Sequence, residues 1–323
     1  MTNKDITKIY FRGNEIVALY RGDTLIFKKS GGGSTTEPTG VYKIKGTVTK
    51  GSGYTQFNLT YNNGQTVNVK VNKDFTFETD LQEPLTNANA MFQGMSYLET
   101  LDLNSLDTSQ VTNMSNMFSQ SNYLKDIKLS GFDTSNVTDM ASMFIYCENL
   151  TSLDVSNFDT SKVTSMEDMF NGCRNLTSLD VSNFDTSKVT QMGHMFRGCE
   201  NLKSLDLSNF DTSKVTRLQY MFYDDEKLTD LYINFDVRSG TYFKTTFSLC
   251  FSLENVVGKF EGTKDNLYLS SCPLTAQSAM VFINGLATVT EQRTLSLNAT
   301  TYDSLTPEQI AIATAKGWTV TRS

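Results

Sequence analysis

One ruler runs through the middle of this chain. The dipeptide Met-Phe stands at Met91-Phe92, Met117-Phe118, Met143-Phe144, Met169-Phe170, Met195-Phe196 and Met221-Phe222, each 26 residues from the last, and a degenerate copy follows at Thr246-Phe247. A unit this short cannot bury its apolar face alone, so copies must stack on one another. That requirement restricts the fold to a repeat solenoid.

One copy, residues 150–173, reads LTSLDVSNFDTSKVTSMEDMFNGC. Leu153 and Val155 alternate with Ser152, Asp154 and Ser156, which predicts a short strand with one buried face. Met166, Met169, Phe170 and Cys173 fall at i, i+3, i+4 and i+7, the spacing of one helical face. Thr164 with Glu167 three residues on reads as a capping box that would open a helix of about two turns. Asn157, Asp159, Thr160 and Ser161 form a turn whose side chains can satisfy loop backbone groups. The expected class is therefore an α/β repeat solenoid, leucine-rich-repeat-like, with a short strand and a short helix in each unit.

The runs LDVSNFDTSKVT and MFNGCRNLTSLDVSNFDTS resemble the BspA-like leucine-rich repeats of bacterial surface proteins and some phage proteins, over residues 81–253. Phe158 departs from the commoner repeat pattern, standing where the ladder asparagine is expected. The resemblance implies a non-enzymatic role in adhesion or protein–protein interaction.

Five segments can be drawn along the chain. Residues 1–29 echo themselves at nine residues (Tyr10-Phe11-Arg12-Gly13-Asn14 and Leu19-Tyr20-Arg21-Gly22-Asp23), the pattern of a small β-hairpin unit. So short a unit gains stability by docking or trimerising, with Tyr10, Phe11, Leu19, Tyr20, Leu25 and Phe27 as the candidate anchor residues. Arg21-Gly22-Asp23 aligns with Arg12-Gly13-Asn14 and reads as a turn rather than an integrin motif. Residues 30–40 are a Gly/Ser-rich tether. Residues 41–80 alternate in period two around the turns Asn62-Asn63-Gly64 and Asn72-Lys73-Asp74, a small all-β module able to cap the first repeat. Residues 81–253 are the repeats. Residues 254–323 decay into a C-terminal cap with a helix over 275–286, a strand over 294–297, a helix opened by Thr306-Pro307-Glu308-Gln309 and a closing strand at Trp318-Thr319-Val320.

A net charge of −7 and a pI near 4.9 disfavour a nucleic-acid or anionic-membrane partner. No apolar run of about 18 residues predicts a membrane span. His194, the one histidine, aligns with Asn116, Ser142 and Asp168 and is expected to be an exposed surface residue without a catalytic role. Cys147, Cys173, Cys199 and Cys250 recur at one place in the unit, where Ser121 and Asp225 stand in other copies, so small buried side chains are expected rather than disulfides or a metal ladder. No cofactor or metal motif is present.

Stacking would align Asp102, Asp154, Asp180 and Asp206 on an outward face about 4.8 Å apart, flanked by Ser152, Ser178 and Ser204. Such a row repels itself unless solvated or bridged, but Lys128 interrupts it and no oxygen-rich loop suggests calcium. These seven residues are the candidate binding face. The opening residues resemble short N-terminal segments of phage structural proteins, which implies a virion appendage: a tail or head fibre or receptor-binding protein, anchored through residues 1–29 and facing a host protein or glycan. The alternative is a bacterial cell-surface adhesin of the BspA-like kind.

Overall fold

The computed structural model describes residues 85–95, 99–104, 106–238, 241–243 and 245–323, with the backbone of short strand segments between residues 8 and 77. Those segments are β1 (Lys8–Arg12), β2 (Glu15–Arg21), β3 (Thr24–Lys28), β4 (Gly46–Thr47), β5 (Thr55–Thr60), β6 (Thr66–Val71) and β7 (Thr76–Phe77). β1, β2 and β3 form an antiparallel sheet in chain order, with Tyr10 opposite Ala18 and Leu19 opposite Phe27. β4 pairs with β7 and β5 with β6, both antiparallel. The tether at residues 30–40 and the turns at 62–64 and 72–74 lie outside the described residues.

From Leu85 onward, residues one repeat apart meet. Parallel bridges link Asn87, Asn113, Asp139, Ser165, Gln191, Arg217 and Tyr242 in succession. Phe92, Phe118, Phe144, Phe170, Phe196, Phe222 and Phe247 form a buried column, each ring stacked on the next with centroids 5.3–6.0 Å apart. Offset stacking of this kind adds about 0.5–1.5 kcal/mol per pair beyond the area buried. The methionines, Val163 and its equivalents, and the Leu153 and Val155 positions complete the core.

The helix expected at Met166–Cys173 does not form. Asp168 and Gly172 take left-handed φ values of 59° and 74°, and every other repeat repeats this four-residue rhythm, from Ala90 to Thr245. The segment is a run of overlapping turns: Met169, Asn171 and Cys173 donate their N–H groups to the carbonyls of Met166, Asp168 and Phe170. Met166, Asp168, Phe170 and Gly172 instead donate to Gln191, Gly193, Met195 and Arg197 in the next repeat, at 2.7–2.9 Å. Partners in the neighbouring copy thus replace the i→i−4 bonds of a helix. The capping box is not made either, because the Thr164 hydroxyl donates backwards to the Thr138 carbonyl.

Regular strands appear at both ends of the array. β8 (Thr100–Asp102) pairs with β9 (Asp126–Lys128), and β10 (Ser204–Leu207), β11 (Asp230–Asp236) and β12 (Asn255–Glu261) form a second parallel sheet. In the central copies residues 152–155 and 178–181 keep the same in-out alternation without being assigned as strands.

The C-terminal part contains β13 (Leu267–Leu269), α1 (Ala276–Gly285), β14 (Arg293–Leu297), α2 (Ala299–Asp303), α3 (Pro307–Ala315) and β15 (Trp318–Arg322). The capping box of α3 is complete, with Thr306 and Gln309 each accepting from the other's backbone. β13, β14 and β15 form a parallel sheet, and buried Trp318 donates its indole N–H to the Ala287 carbonyl.

Candidate functional site

Asp102, Asp154, Asp180 and Asp206 are all exposed. Each carboxylate, however, serves its own turn. Asp102, Asp154, Asp180 and Asp206 accept the backbone N–H of Asn104, Ser156, Ser182 and Ser208 at 2.9–3.1 Å. A second row, Asp107, Asp133, Asp159, Asp185 and Asp211, does the same for the serine two residues on. These bonds favour the ionised form, and those from the paired serines hold Asp133, Asp154, Asp159, Asp180 and Asp185 below the usual carboxylate range. Ser152, Ser178 and Ser204 are exposed beside the first row. Along the paired strands at the C-terminal end the row turns aromatic and aliphatic: Asp206 is opposite Tyr232, and Tyr232 is opposite Val257.

Behind this face lie two ladders with no separate signal in one repeat. The Asn183 amide donates to the carbonyls of Val155 and Phe158, and Asn157 and Asn209 do the same one repeat earlier and later. An asparagine ladder is therefore present, one residue before the position occupied by Phe158. Buried Thr186 donates to the Asp211 carbonyl and accepts from the Asp211 N–H, a pattern shared by Thr108, Thr134 and Thr212 with their following copies. The period of these residues was the available signal. Their partners lie 24–28 residues away, so only stacking reveals them.

The five cysteines are free and buried. Cys147, Cys173, Cys199 and Cys250 each donate a thiol hydrogen bond to the carbonyl of Phe118, Phe144, Phe170 and Phe222 in the preceding repeat, at 2.9–3.4 Å. Burial pushes the Cys173 thiol up to about 12. These are therefore donors as well as space fillers.

His194 is not an exposed surface residue. Its side chain is 22% exposed, its φ is 59°, and its ring stacks on Tyr220 with centroids 5.0 Å apart. The ring sits between Asp168 of the preceding repeat and Tyr220 of the following one, a place its polar equivalents concealed. Nδ1 is buried, without a hydrogen-bond partner among the described residues, and lies 3.9 Å from Asp168 Oδ1.

A concavity of about 240 Å³ lies near the C-terminal end, lined by Asn209, Asp211, Asn234, Arg238, Lys259 and Glu261. Its charges answer one another: Arg238 contacts Asp236 at 2.5 Å and Glu261 at 3.5 Å, and Lys259 pairs with Glu261. The anchor candidates Tyr10 and Phe11 lie on β1, Leu19 and Tyr20 on β2, and Leu25 and Phe27 on β3; their side chains are outside the described residues. No helix among the described residues is long and apolar enough to cross a membrane.

Units of about 26 residues that hydrogen-bond to their neighbours on both sides define a repeat protein. The family described as "Mycoplasma protein of unknown function, DUF285" matches residues 86–179 and 169–268, more than half of the chain, and the chain belongs to that family. The matched residues are those that carry the resemblance to BspA-like repeats. No curated protein and no solved structure matches the chain.

Proposed function

We propose that this chain is a non-enzymatic binding protein, a leucine-rich-repeat-like solenoid that presents a repeated outer face to a host-surface protein or glycan. Its setting is a bacteriophage virion, where residues 1–29 dock on other structural proteins, with trimerisation as one route to a stable anchor. The observation that carries the reading is the outward row around Asp154, Asp180 and Asp206, exposed side chains that recur every 26 residues on a frame braced from repeat to repeat by the Asn183 and Thr186 bonds. A frame of this kind suits broad repetitive partners better than a small substrate. The β1–β3 sheet supports a docking role for the opening segment.

The family description favours a second reading, a bacterial cell-surface adhesin, because it names a bacterium. Mass spectrometry of purified phage particles beside fractionated host envelopes separates the two. The chain in particles supports the virion assignment; the chain on envelopes alone overturns it. Binding of the full chain to host cells, unchanged when Asp154, Asp180 and Asp206 are all replaced by Lys, would remove this row from the binding face.

A further inference from the structure

We propose that Glu167, Asp168 and His194 form a site for one divalent transition-metal ion of the zinc type, set between two adjacent repeats. One donor atom from each lies within 4.8 Å of the other two, and all three side chains are three-quarters buried or nearly so. Zinc bonds to nitrogen and carboxylate oxygen are about 2.0–2.2 Å long, so two ligands of one ion stand roughly 3–4 Å apart.

The imidazole is the informative member. His194 Nδ1 is inaccessible to solvent and unpartnered, and its 3.9 Å from Asp168 Oδ1 is too long for a hydrogen bond yet suited to sharing a cation. A buried polar atom without a partner is costly, and a metal bond removes that cost. The ring is held by Tyr220, stacked at an interplanar angle of 6°, while the backbone N–H of His194 is fixed by the Gln219 carbonyl at 2.9 Å. Asp168 Oδ1 is oriented in turn by the Asn171 amide at 2.6 Å, the supporting partner expected of a metal-binding carboxylate.

Register supplies the space. Glu167, Gly193 and Gln219 occupy the same place in three successive repeats. Gly193 projects no side chain between the other two, and the Gln219 amide lies 2.9 Å from where its Cβ would be. Gln219 Oε1 is a second buried polar atom nearby without a partner among the described residues. Arg217 Nη1, 3.9 Å from Glu167 Oε1, is the cation already present, and its side chain is 55% exposed and free to swing away. One imidazole nitrogen and two carboxylate oxygens suit a first-row divalent ion better than calcium, which takes six to eight oxygens.

The test uses the full chain without a polyhistidine tag, titrated with Zn²⁺ by calorimetry and with Co²⁺ by visible absorption. The expected result is one equivalent bound, with at least about tenfold weaker binding in His194→Asn and in Glu167→Gln. Asparagine is already accepted at this left-handed position, as Asn116, so His194→Asn keeps the fold; melting curves check this, and Glu167→Gln is the second variant if it does not. Absence of binding by the unmodified chain, equal binding by both variants, or a thiolate charge-transfer band that assigns the ion to cysteine would each overturn the site.

Discussion

Replacing Asp225 with Asn should remove a slope from the pH dependence of stability. Asp225 stands where other repeats carry Ser or Cys, at a place that needs both an acceptor and a donor. Ser121 there accepts the Met95 N–H and donates to the Phe92 carbonyl. Asp225 accepts the Cys199 N–H through Oδ1 at 2.8 Å, but its Oδ2 is buried without a partner. An ionised carboxylate only accepts, whereas a carboxylic acid can donate from Oδ2, in register with the Phe196 carbonyl. Burial pushes this carboxyl well above its usual range; the N–H groups of Cys199 and Gly198 oppose that, while Asp224 and Glu200 add to it.

A raised native value means that the folded state keeps a proton which the unfolded chain releases above pH ~3.9. Stability then falls as pH rises, by up to about 1.4 kcal/mol per pH unit, until the native carboxyl itself ionises. Asp133, Asp154, Asp159, Asp180 and Asp185, held low by their serines, act in the opposite sense and only below that same unfolded value. Across pH 5 to 8 the difference between the wild-type chain and Asp225→Asn therefore reports Asp225, since groups such as His194 that also titrate there are common to both. Urea unfolding of the wild-type chain and of Asp225→Asn across that interval should give a declining profile for the first and a flatter one for the second. Parallel profiles would refute the reasoning.

Asn183→Ala strips the donors from the Val155 and Phe158 carbonyls and should cost about 1–3 kcal/mol, read from the urea midpoint. Phe170→Ala opens a void in the aromatic column and should cost about 3–5 kcal/mol; hydrogen exchange should show the loss spreading to adjacent repeats first. The five buried thiols should resist a thiol reagent at pH 8 and react fully once urea unfolds the array.

The inward positions were legible because period fixes them: Met169, Phe170 and Cys173 point into the core in either a helix or a run of turns. That equivalence is why the local conformation was not legible. Turns repeated every four residues place i, i+3, i+4 and i+7 on one side, as a helix does, and the left-handed φ of Asp168 leaves no mark in residue type. The helix opened by Thr306 was easier, since Thr306, Pro307 and Gln309 make their signal within one turn. The metal candidate depends on three side chains from two copies. Asp168 and His194 occupy equivalent places, so alignment presented them as alternatives for one role instead of neighbours.

The bonds that join the repeats also decide how the array meets force. In residues 166–172 alternate N–H groups all point to the following copy, and the preceding copies do the same. A pull between the ends of the array loads these bonds in series, so every rung carries the same tension and the weakest yields first. Each rung that yields releases one repeat of chain, roughly 85–90 Å when drawn out. Tension is thereby relieved in equal instalments, and the untouched copies remain a template on which the released one can re-form when the load falls.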